Sequence, residues 1–145
     1  MKSVVILILS NMLFSGMFSV KAQNIELNIS GIRSEKGQVI IGVFRDNETF
    51  RKETPYEQFK FEKSNIFDNT LKLSFSLEPG LYGFTLLDDE NSNGLMDYSF
   101  MGIPKEGFGF SRYDHKGMRK PHFDSFKYEI RQHEIYMINI NVKYF

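Results

Sequence analysis

An all-β fold is what this sequence predicts: two sheets packed face to face in an immunoglobulin-like β-sandwich of about seven strands. Three observations carry that expectation. Short runs alternate apolar and polar residues with a period of two, turn residues interrupt the chain about every ten positions, and no segment shows the i, i+3, i+4 apolar stripe of an amphipathic helix. The aromatic content, 15 Phe and 7 Tyr without a Trp, suits pleated, half-buried surfaces. A small closed barrel is the competing arrangement of the same strands.

The chain opens with a segment that does not read as part of the sandwich. Met1 and Lys2 make a short basic start, Val4 to Leu9 is unbroken apolar, and Val20 and Ala22 place small residues at the spacing a signal peptidase needs. Ser10, Asn11, Ser15, Gly16 and Ser19 interrupt the run, which falls short of the roughly 20 apolar residues of a spanning helix. Residues 1–22 are therefore expected to be a cleaved signal peptide and residues 23–145 a single exported domain, periplasmic or extracellular, with no membrane span after cleavage. The chain has no cysteine, which excludes a lipidated cysteine after the leader and any disulfide. Loss of Lys2 and Lys21 leaves 16 of the 18 basic residues against 18 acidic ones. A domain so close to neutral lacks the basic footprint of a nucleic-acid binder, and that class is discarded.

The strands follow in order. Ile25, Leu27 and Ile29 alternate with Glu26, Asn28 and Ser30, a strand with one wet face. Gly37 ends a polar connector, and residues 38–45 form a second strand with Val39, Ile41 and Val43 toward the core; the two strands read as a hairpin. Residues 46–56 lose the alternation and are expected as a loop with a short helical turn. Phe59 and Phe61 mark another strand. Residues 70–77 are the clearest, with Leu71, Leu73, Phe75 and Leu77 inward and Lys72, Ser74 and Ser76 wet. Glu78, Pro79 and Gly80 read as a tight turn with Gly80 at positive φ. Leu81 to Asp88 is apolar on both faces, as befits a central strand. Residues 111–121 are basic and irregular, 123–130 read as a strand, and 135–144 close the domain with Tyr136, Ile138, Ile140 and Val142 inward.

The functional residues concentrate between Asp88 and Phe110. Counting from Asp89, positions 1, 3 and 5 are Asp89, Asn91 and Asn93, position 6 is Gly94, position 7 is Leu95 with its backbone carbonyl, and position 9 is Asp97. Hard cations such as calcium take six to eight oxygens, and a curled loop with alternate oxygen-bearing side chains and a glycine at the sharp turn can supply them. Position 12 is Phe100, so the bidentate Glu of an EF-hand is missing and the expected affinity is weak, on the order of 10⁻⁴ to 10⁻³ M. A metal-free turn rich in Asp and Asn accounts for the same residues. Phe108, Phe110 and Tyr113 follow on a glycine-supported loop, either as a stacking platform for a ligand or folded back to cap the sandwich, with Gly107 and Gly109 where side chains would clash. His115 and His122 invite a small-hydrolase reading, yet no histidine pair has helical metal-binding spacing, and neither a nucleophile-elbow context nor a cysteine advocates covalent catalysis.

Pro79, Gly80 and Tyr82, then Asp88 to Gly94 with Asp97, then Met101 to Phe110, together with Lys36 to Phe44, closely resemble the secreted bacterial family catalogued as domain of unknown function 2141. The run from Gly102 to Phe110 is the most specific part of that likeness. It implies an exported β-sandwich and leaves activity open. A fainter similarity links the same motifs to prealbumin-like and collagen-binding-protein B-type modules, which are mostly structural or binding domains. The expectation for function is thus a non-enzymatic binding or structural envelope module, its partner a protein or cell-envelope ligand, with a weak calcium site in the loop. A small hydrolase using loop carboxylates with His115 or His122 is the alternative.

Overall fold

The computed structural model describes residues 24–117 and 119–145; the expected leader lies outside the described residues. Eight strands build two sheets. These are β1 (Ile25–Ser30), β2 (Gln38–Phe44), β3 (Glu57–Glu62), β4 (Thr70–Phe75), β5 (Gly80–Asp89), β6 (Gly107–Phe110), β7 (Lys127–Ile130) and β8 (Tyr136–Asn141), with one short helix, α1 (Asn47–Arg51), between β2 and β3. One sheet has the order β4-β1-β8, with β1 and β8 parallel. The other runs β3-β2-β5, and the far edge of β5 carries β7 beside its first half and β6 beside its second. The two sheets pack as the expected sandwich.

Period-two alternation explains the core. Ile25, Leu27 and Ile29 from β1, Leu71, Leu73 and Phe75 from β4, and Ile138 and Ile140 from β8 meet Val39, Ile41 and Val43 from β2 and Tyr82, Phe84 and Leu86 from β5 in one buried cluster. Burying each such side chain contributes roughly 1.5–3 kcal/mol. The outer face of the three-stranded sheet is wet, with Glu26, Lys72, Ser74 and Met137 exposed.

The outer face of the five-stranded sheet is different, and this is why β2 and β5 are apolar on both sides. There Phe44, Phe50 of α1, Phe110, Phe123 and Phe126 form a second, separate cluster with Phe108 against it. Asp46 caps α1, its side chain accepting from the Thr49 amide at 2.8 Å, and so aims Phe50 at this face. A 3-10 turn at Phe123–Ser125 brings in the other two rings.

Several local expectations are corrected. The first two strands are not a hairpin: β1 lies between β4 and β8, while β2 pairs with β3 and β5 in the other sheet. Residues 76–79 cross from one sheet to the other instead of turning tightly, and Gly80 is the first residue of β5 without positive φ. Residues 123–130 split into the 3-10 turn and β7. Gly107 to Phe110, read as loop, is strand β6. Its glycines sit where the notion of a clash applies: a Cβ on Gly107 would meet Tyr144 at 2.4 Å, and one on Gly109 would meet Ile140 at 2.6 Å. Glycine on the inner side lets β6 lie close over β8, and Phe108 and Phe110 face outward.

Candidate functional site

Strand β5 ends on two adjacent carboxylates that leave opposite faces. Asp88 continues the inward series and is fully buried. Its Oδ1 makes no ordinary hydrogen bond; its partner is the Lys63 ammonium, in ion-pair contact with both side chains 0% exposed. The Tyr144 hydroxyl donates to Oδ2, and Lys63 also donates to the Ser34 carbonyl at 3.2 Å. Burial, then the hydrogen bond to Asp88, pushes the Tyr144 hydroxyl well above its ordinary value. Glu90 accepts two hydrogen bonds from Arg33, at 3.0 and 2.8 Å, which hold its carboxyl below the usual range. Asp88 and Glu90 are thus engaged away from the loop's interior.

Asp89 leaves the outer face and starts the loop. Its Oδ1 accepts from the Asn93 amide at 3.1 Å, and its Oδ2 accepts from the Gly94 amide at 2.8 Å and from Gln38 Nε2 at 2.7 Å. Gly94 takes φ +82°, the left-handed value that the sharp turn requires. Asn91 and Asn93 each accept from the amide two residues on, at 3.0 and 2.8 Å, as turn-forming Asx residues do. Their Nδ2 groups both donate to Asp97 Oδ2, at 2.6 and 2.9 Å. The structure therefore gathers Asp89, Asn91, Asn93 and Asp97 into one curled loop, with Leu95 exposed at its rim. The hydrogen bonds as they stand are those of a self-supported turn. Among the described residues no group of three or more His, Cys, Asp or Glu is gathered as metal ligands. A cation here needs the two amides turned so that Oδ1 faces inward in place of Nδ2.

Residues 97–105 then form a small ribbon. The Asp97 carbonyl accepts from the Lys105 amide at 2.8 Å, Tyr98 pairs with Pro104, and the Ser99 amide donates to Ile103 at 2.8 Å. This doubling back sets Glu106 beside Asp97. Glu106 Oε2 accepts from the Asp97 amide at 3.3 Å, while Oε1 has no hydrogen-bond partner although the residue is only 4% exposed. Burial first, then the charges of Asp89 and Asp97, raises its carboxyl above the usual range. Reasoning from fixed offsets missed Glu106 because the ribbon intervenes. The signal available was a lone acid, next to Lys105, in a run otherwise of apolar residues and glycines.

The same loop walls a groove of about 550 Å³ over the outer sheet face. Leu95, Tyr98 and Pro104 line one side, and Ile40, Leu87, Phe108 and Phe110 form the floor. That volume lies in the range of small-ligand sites. Of the three aromatic candidates, Phe108 and Phe110 line the groove; Tyr113 stands behind them, its ring 6.4 Å from that of Phe110.

The histidines of the hydrolase reading have separate surroundings. His115 is buried among Phe108, Phe110 and Tyr113, its Nδ1 without a hydrogen-bond partner, and burial lowers its pKa. His122 Nδ1 accepts from the Asp124 amide at 3.3 Å and caps the 3-10 turn. No helix among the described residues is long and apolar enough to cross a membrane.

Residues 27–137 match the bacterial family described as "Uncharacterized protein conserved in bacteria (DUF2141)", and the chain belongs to that family. No curated protein and no solved structure matches it.

Proposed function

With membership of that family as the premise, we propose that this protein is an exported, non-enzymatic binding module of the cell envelope. It takes an apolar or aromatic ligand in the groove above Phe108 and Phe110, and the wall formed by residues 89–98 is ordered by calcium. The observation that carries the reading is the sharing of one groove by the oxygen-rich loop and the aromatic strand β6. An ion held by Asp89, Asn91, Asn93, the Leu95 carbonyl and Asp97 would set the position of Leu95 and Tyr98, and through them the ligand. Exposed Phe100 and Met101 at the tip of the ribbon extend the apolar surface beyond the groove. Export is supported by the basic start, apolar run and small residues of positions 1–22. The burial of His115 among rings and the capping role of His122 support binding over hydrolysis.

The absence of Trp makes the test direct. Leu95→Trp places a sole reporter on the groove wall. Calcium, with magnesium as control, should change its emission and raise the melting temperature; ligand linkage gives about 1.4 kcal/mol at ten times Kd. Asp89→Ala with Asp97→Ala should abolish both effects. A calcium-specific shift that survives in the double variant removes the site assignment. An apolar dye that quenches or enhances the reporter equally when Phe108 is replaced by Ser removes the groove assignment.

A further inference from the structure

We propose that Glu106 is the closing carboxylate of the calcium site, taking from outside the loop the place that Phe100 leaves empty within it. The inference rests on the calcium reading of the loop and adds a ligand to it. A buried carboxylate oxygen without a partner is costly unless something compensates it. Glu106 Oε1 is such an atom, in a residue 4% exposed. Asp97 lines the same hollow as Glu106, and two carboxylates so placed repel in the absence of a cation and become ligands in its presence.

The backbone explains how a residue 17 positions after Asp89 comes to the site. The bond from the Lys105 amide to the Asp97 carbonyl zips the ribbon, and the Asp97 amide in turn holds Glu106 Oε2. Glu106, Asp97 and Asn91 line one open hollow of about 410 Å³, room enough for an ion with several waters. Glu90 and Lys105 stand at its rim, with Glu90 tied to Arg33. The ion thus reaches Asp97 from the side open to solvent, with the buried Glu106 behind it. The third charge moves the expected affinity tighter than that of a loop with Asp89 and Asp97 alone.

The test is titration of the purified protein with calcium chloride, followed by calorimetry and by melting in calcium and in chelator. Glu106→Gln keeps the shape and an acceptor for the Asp97 amide while removing the charge. It is expected to bind calcium at least tenfold more weakly, yet to melt no lower than the parent in chelator, because it removes a buried charge whose Oε1 has no hydrogen-bond partner. A purely structural role gives loss in both conditions and overturns the proposal. Calcium affinity unchanged in Glu106→Gln but lost in Asp89→Ala with Asp97→Ala also overturns it, and leaves the loop reading standing. Absence of calcium binding in the parent overturns both. Should Glu106→Gln fail to fold, Glu106→Asp keeps the charge and withdraws the oxygens by one methylene; undiminished affinity in that variant is equally decisive against the proposal.

Discussion

Replacing Lys63 with Met should unfold this protein far more readily than the loss of a surface lysine would. Lys63 and Asp88 form their ion pair with both side chains 0% exposed. Removing the ammonium leaves Asp88 buried with one neutral donor, the Tyr144 hydroxyl. An orphaned buried charge of this kind costs about 3–5 kcal/mol. In a domain of this size each kcal/mol moves the midpoint by roughly 3–5 °C, so the fall should be on the order of 10–20 °C. Asp88→Asn removes the charge while keeping an acceptor for Tyr144. The double variant should therefore recover most of the loss, with a coupling energy of about 2 kcal/mol or more in a double-mutant cycle. Urea denaturation of the parent, the two single variants and the double variant measures it. Coupling below about 0.5 kcal/mol would refute the reasoning, since burial of both partners is what makes the pair interdependent.

Two further outcomes are expected. Gly109→Ala drives a Cβ to within 2.6 Å of Ile140 and 2.8 Å of the Asn141 carbonyl; overpacking of this kind costs about 1–3 kcal/mol, and a variant as stable as the parent in chemical denaturation would show that β6 does not lie close over β8. His115 is buried with a lowered pKa, so the unfolded chain binds its proton first: stability is full above the unfolded value near pH 6.5 and falls as pH drops from there toward the folded value. Melting curves between pH 5 and 8 should show that slope reduced in His115→Phe, and an unchanged slope would assign the acid sensitivity to other groups.

Much of the architecture was legible because strands with one wet face encode it locally. The alternation in β1, β4 and β8 predicted which side chains are buried, and the two-sided apolar character of β5 predicted its central place. Sheet membership was not legible. β1 and β2 lie near each other in sequence, yet a polar connector ending in Gly37 serves a crossing between sheets as well as a hairpin, and only the competition among partner strands selects one. Gly107 to Phe110 was misread as loop for a related reason. A strand with glycine on one side carries no inward apolar signal, and the need for glycine there arises from Ile140 of β8 and from Val142 and Tyr144 just beyond it, all distant in sequence.

The loop divides in the same way. The spacing of Asp89, Asn91, Asn93, Gly94 and Asp97 determined a curled turn, because Asx turns and the left-handed glycine are local properties of the chain. That Asp88 turns inward to Lys63 and Tyr144, that Glu106 returns to Asp97, and that β6 and the loop share a groove were decided only by tertiary structure. Those contacts join residues 9 to 56 positions apart, and which of many possible long-range partners is chosen depends on the packing of the whole sandwich.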